Sequence, residues 1–153
     1  MKTLVLYESK YGNTEMIAEA ICAELGGTIL NVSEFKLDHL TNVNLLVVGS
    51  PIHGWQPSAE TVHFLSRLEN KCLKGIYVAA FDTGYKTMMA GNAAPKILKM
   101  LEKAGGTQLA PTQKFIVTQS EGPLVSGELE RAKTWGNYLK DVYDHKPQLA
   151  GAK

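Results

Sequence analysis

The 153 residues, 44% of them apolar, fit one domain with a sizeable core, and a second domain is not expected. Lys and Arg number 16 against 15 Asp and Glu, a formal charge of +1, and no basic cluster marks a nucleic-acid surface. No apolar run nears the length of a membrane span and the N-terminus enters a strand at once, so the expectation is a cytoplasmic protein without a signal peptide.

Leu4 to Tyr7 is an apolar run short enough for a buried strand, and Ile17, Ala18, Ile21 and Leu25 then recur at helical spacing. Only the polar segment Glu8 to Asn13 separates them, so N–H groups at the helix start are free to face an anion. Ser9 and Thr14 add hydroxyl donors. A phosphate suits such a loop, because its oxygens accept several N–H and O–H bonds while the helix dipole favours its charge. The loop has neither the Gly-Lys-Ser/Thr ending of a nucleoside triphosphate site nor the glycine triplet of a dinucleotide site, which points to a single phosphate monoester. The alternative is that Ser9 and Thr14 merely cap the helix.

Gly26 and Gly27 stop that helix, and Thr28 to Val32 reads as a second strand. Ser33 to Thr41 is a polar connection whose Phe35, Leu37 and Leu40 are expected to cover the sheet. Asn44 to Gly49 is a third strand, apolar on both faces as a parallel strand between helix layers should be. A loop from Ser50 to Pro57 leads to a helix over about Ser58 to Leu68, with Val62, Phe64, Leu65 and Leu68 expected inside. Lys74 to Phe81 is a fourth strand, and the connection from Asp82 to Gly91 exceeds an ordinary strand-to-helix turn, a length that usually serves a site. A helix over about Asn92 to Ala104 places Pro95 in its first turn, where proline is tolerated. Pro111 interrupts pairing ahead of a fifth strand, Lys114 to Thr118, and a last helix from Gly127 to Tyr143 turns Ala132, Trp135, Leu139 and Val142 inward; the tail after His145 reads as frayed. Cys22 and Cys72 have neither metal-ligand nor redox-pair spacing and read as structural or free thiols of a reducing compartment. His39 and His63 read as surface or packed residues.

Alternating strands and helices imply an α/β fold with a parallel sheet covered on both faces. Val5, Leu6, Tyr7, Ser9, Gly12, Thr14, Ala18 and Ile21 satisfy the FMN-binding signature that the chain thereby resembles, that of the flavodoxin family. The resemblance extends over essentially the whole chain in its short-chain form. It implies a flavodoxin-like three-layer sandwich, a five-stranded parallel sheet in the order 2-1-3-4-5, and a ligand where the strand order reverses. Tyr11 departs from the threonine of many small flavodoxins, and Tyr-Gly-Asn-Thr is similar to the loop of flavodiiron proteins and flavodoxin-like quinone reductases.

The resemblance assigns three segments to FMN. The first is the phosphate loop, Ser9, Lys10, Tyr11, Gly12, Asn13 and Thr14. The second opens with Ser50, Pro51 and Ile52 and carries His53, Gly54 and Trp55, a tryptophan at a loop tip being better placed to stack on a flavin than to fill a core. The third runs from Phe81, Asp82, Thr83, Gly84 and Tyr85 through Lys86 to Thr87, Met88 and Met89, with Tyr85 as the aromatic for the second flavin face and Asp82 either a contact or a plain turn residue. The loop Ser120 to Ser126 borders the same rim without a flavin motif. Lys10, His53 and Lys86 outnumber Glu8 and Asp82 there, and the overall balance is less acidic than in electron-shuttling flavodoxins.

The implied function is an electron carrier that moves one or two electrons through noncovalent FMN between redox partner proteins, a reductase and an electron acceptor. An FMN-dependent quinone reductase or a flavodoxin-like protoporphyrinogen oxidase is the alternative enzyme reading, although the long insertion of the latter is missing. A binding module with a vestigial flavin site is a third, and the intact phosphate loop opposes it.

Overall fold

In the computed structural model, which describes residues 1–86, 91–119 and 121–146, the elements in chain order are β1 (Thr3–Tyr7), α1 (Asn13–Leu25), β2 (Thr28–Asn31), β3 (Leu45–His53), β4 (Gln56–Pro57) and α2 (Ala59–Ser66). β5 (Tyr77–Gly84), α3 (Ala94–Lys103), β6 (Thr107–Gln108), β7 (Gln113–Ile116) and α4 (Glu128–Asp144) complete the order. β1 lies between β2 and β3, β3 pairs next with β5, and β5 pairs with both β6 and β7, all in parallel. This is the expected order 2-1-3-4-5, with the fifth position divided. β6 pairs with Tyr77 and Val78, β7 with Phe81 to Gly84, and Pro111, which has no N–H to donate, falls in the gap.

Because successive strand residues point to opposite faces, the apolar runs supply two cores. Leu4, Leu6, Leu46, Val48 and Val78 meet Phe64 and Leu65 of α2 and Ile97 and Leu101 of α3. Val5, Leu45, Val47, Ala79 and Phe81 meet Ile17 and Ile21 of α1 and Trp135 and Leu139 of α4. Trp135 stands edge-on to Phe81 and Phe115, with ring centroids 6.0 and 6.2 Å away, and is a core residue.

Two residues expected inside lie outside. Val62 is 37% exposed, because α2 presents Thr61, Phe64 and Leu65 to the sheet and Val62 falls beside that stripe. Leu37 is 60% exposed at the start of a short 3-10 turn, Leu37–Leu40, while Phe35 fills the space against Phe64 at a centroid distance of 5.0 Å.

Two further differences shape the edge where the ligand is expected. β3 continues through Ser50–His53 and returns antiparallel as Gln56–Pro57, so the second segment is a hairpin with Gly54 and Trp55 at its tip. β5 begins only at Tyr77 and runs on to Gly84, so Asp82, Thr83 and Gly84 are strand residues. Both extensions exist because each serves the other: Ser50 pairs with Asp82 and Pro51 with Thr83. Among the described residues no helix is long and apolar enough to cross a membrane. Residues 147–153, which include most of the tail read as frayed, lie outside the described residues.

Candidate functional site

The turn from β1 into α1 is held by backbone and hydroxyl bonds. Glu8 N–H donates to the Gly49 carbonyl at 3.2 Å, and Gly12 N–H donates to Ser9 Oγ at 3.0 Å. Gly12 is the residue preceding the helix and adopts φ 92°, a left-handed conformation that a Cβ would strain. Among the described residues no side-chain bond caps α1. Its first N–H groups have no intrahelical partner either, so they remain donors for an outside anion. Ser9 Oγ bonds to Gly12 and Thr14 Oγ1 bonds to Thr83 Oγ1 at 2.8 Å; neither hydroxyl acts as a cap. Beneath the turn, Tyr7 donates to Glu15 Oε2 at 3.0 Å, and burial together with that carboxylate pushes its phenol up to about 12, so it stays neutral.

This turn forms one wall of a cavity of about 520 Å³, within the usual range of small-molecule sites. Ser9, Lys10, Tyr11, Asn13 and Thr14 line it from the turn, Pro51 to Trp55 from the hairpin, and Thr83 to Tyr85 from the end of β5. Three of its aromatic residues are half-exposed: Tyr11 at 49%, Trp55 at 52% and Tyr85 at 40%. A large apolar ring left open beside uncapped helix amides is an arrangement for a flat aromatic ligand that carries an anion. Lys10 Nζ lies 5.3 Å from the centre of the Tyr11 ring, and His53 is exposed.

Four residues expected at the site do not line the cavity. Gly12 shapes the turn through its backbone. Ser50 is fully buried, where its hydroxyl accepts from Ser58 N–H at 2.9 Å and donates to the Pro51 carbonyl at 2.8 Å, holding the hairpin against α2. Phe81 belongs to the core beside Trp135. Asp82 is 1% exposed, and its Oδ2 accepts from Ala93 and Ala94 N–H at 2.8 Å each, so its carboxylate caps α3 from the adjacent strand. It is therefore a buried strand residue rather than a loop residue. Thr87, Met88, Met89 and Ser120 lie outside the described residues.

Burial raises the pKa of Asp82 against the lowering effect of the two amides and of Lys114. The folded state then binds the Asp82 proton more tightly than the unfolded chain, so this group's contribution to stability is greatest below the ordinary carboxylate pKa and declines as pH rises towards the folded value. Asp82→Asn keeps an acceptor for the amides and removes the buried charge. Stability measured by denaturant titration from pH 4 to 8 is expected to fall less with rising pH in this variant than in the wild type; an identical pH dependence would contradict the assignment.

The sequence matches the family model described as a flavodoxin domain over residues 4–118, a stretch that holds the phosphate-type turn, the hairpin and the end of β5. The chain belongs to the flavodoxin family. Solved structures agree on the fold. A flavodoxin from the domain Archaea superposes with a TM-score of 0.79 at 22% identity, over 95% of this chain and 100% of that one. Flavodoxin 2 from Bacillus cereus does so at 0.77 and 23% identity, over 92% and 99%. The flavodoxin, WrbA-like protein from Agrobacterium tumefaciens gives 0.75 at 22%, over 95% and 99%. No curated protein matches the sequence.

The sequence reasoning missed one cavity residue, Val117. It follows β7 directly, and its one available signal was its place at the carboxyl end of a strand, where open α/β sheets bind ligands.

Proposed function

We propose that the cavity binds FMN noncovalently and that the protein carries electrons between redox partner proteins. The carrying observation is that one cavity joins uncapped α1 amides and the Ser9 and Thr14 hydroxyls, donors suited to one phosphate, to the open rings of Trp55 and Tyr85. Members of the family bind FMN. The residues present fit that group: Ser9, Asn13 and Thr14 would hold the phosphate, and Trp55 and Tyr85 would cover the ring faces.

Bound FMN supplies reversible one- and two-electron transfer. The chain's part is to bind, orient and shield. The hairpin and the end of β5 bring an apolar ring and strand backbone to one wall, and the buried Thr14–Thr83 pair ties that wall to the phosphate turn. Free Cys22 and Cys72, with thiols that burial raises, accord with a cytoplasmic, reducing compartment, and we extend the proposal to that location.

A direct quinone reductase is the second reading, and Tyr11 is the observation that favours it, because it stands half-exposed at the cavity where a substrate ring would pass. Steady-state NADH and NADPH oxidation by the FMN-loaded protein separates the two. A carrier shows turnover only when a flavoprotein reductase is added. Quinone-dependent oxidation by this chain alone would replace the carrier reading with the enzyme.

A further inference from the structure

Trp55 has φ 70°, a left-handed backbone that a bulky residue adopts only when its surroundings impose it. The two-residue turn Gly54–Trp55 between the paired His53 and Gln56 imposes it, with φ 54° and 70°, and two contacts then hold the residue. Lys96 Nζ donates to the Trp55 carbonyl at 2.7 Å, and the indole lies on Gly91, where an added Cβ would stand 2.6 Å from Cε3 and 2.7 Å from Cδ2. The seat is therefore bare backbone, and it is held in place. Lys114 Nζ donates to the Gly91 carbonyl at 2.8 Å and to the Tyr85 carbonyl at 3.3 Å. One ammonium therefore ties Tyr85 to Gly91. Asp82, the register partner of Lys114 across β5 and β7, holds Ala93 and Ala94, two and three residues beyond the seat.

We propose that Lys114 and Gly91 are positioning residues for the FMN site: Lys114 fixes Gly91 as the seat of the Trp55 indole and, through the Tyr85 carbonyl, sets the second aromatic as well. The inference rests on the FMN reading above. Neither residue lines the cavity. Their effect is to deliver the two rings already arranged, which reduces the ordering that binding must otherwise impose.

The test uses FMN titrations followed by flavin emission on the wild type, Gly91→Ala, Lys114→Met, Trp55→Ala and the Gly91→Ala/Trp55→Ala double variant, with thermal unfolding alongside. Gly91→Ala is expected to raise the emission of bound FMN and weaken binding about tenfold, the scale of one stacking contact. With the indole already removed, the same change should leave emission and affinity where Trp55→Ala put them. Its unfavourable φ of 74° should still lower the melting temperature in both backgrounds, which separates seating from general stability. Lys114→Met should raise emission and weaken binding. Full additivity of Gly91→Ala and Trp55→Ala in the flavin readouts, or a Lys114→Met protein that binds FMN with wild-type affinity and emission, would overturn the proposal. Should Gly91→Ala fail to fold, Lys114→Met decides it alone. A wild type that binds no FMN would overturn the function reading first, and this one with it.

Discussion

Thr14→Val is expected to weaken FMN binding by about 1.5–3 kcal/mol, or roughly one to two decades in affinity, the loss of a hydrogen bond to a charged, desolvated group. Thr14 is 2% exposed, lines the cavity and sits in the uncapped first turn of α1. Its hydroxyl carries one proton, and its oxygen already meets Thr83 Oγ1 at 2.8 Å. When Thr83 donates into that contact, the Thr14 proton is left for a phosphate oxygen. Valine preserves the shape, removes the donor and strips Thr83 of its partner. Thr83→Val leaves the Thr14 donor in place, so its effect on affinity should be the smaller of the two. Isothermal titration with FMN and with riboflavin, which lacks the phosphate, checks the assignment: Thr14→Val should cost FMN affinity and spare riboflavin. Equal losses for both ligands would remove Thr14 from the phosphate.

Trp55→Ala should loosen FMN by about 1–3 kcal/mol and raise the emission of what remains bound, because an indole stacked on a flat heterocycle quenches it and contributes on that scale. The ring is 52% exposed, so its stacking surface is available at no cost to the core. Tyr85→Ala tests the opposite face, and at 40% exposure its removal should likewise leave the fold intact. Fluorescence titration reads both effects. Unchanged affinity and emission in both variants would mean that backbone contacts alone hold the flavin.

The parts of this molecule that its sequence announces are those set by neighbours along the chain. The turn from Ser9 to Thr14 is local, so its spacing shows both the helix start and the available donors. The central strands are equally legible, since Leu45 to Val48 and Ile76 to Phe81 are unbroken apolar runs that only a covered sheet accommodates. What the sequence hid depends on partners far away in number. Ser50 and Asp82 are strand residues because they pair with each other across β3 and β5. Asp82 is a helix cap because Ala93 and Ala94 arrive beside it, a contact that no motif encodes. Val62 and Thr61 occupy adjacent helical positions, and the threonine, bonded to Ser58 Oγ, is the one that lies inward. Trp55 was legible as an exposed ring from its loop-tip position, while its seat on Gly91 belongs to tertiary structure.

A site with donors for one phosphate should discriminate FMN from FAD. The protein should be purified, saturated with an equimolar mixture of FMN and FAD, desalted and denatured, and the released flavin separated by chromatography. Donors for a single phosphate predict about one FMN per chain and little FAD, with a yellow protein before denaturation. Equal retention of FMN and FAD, or a colourless protein after desalting, would contradict it.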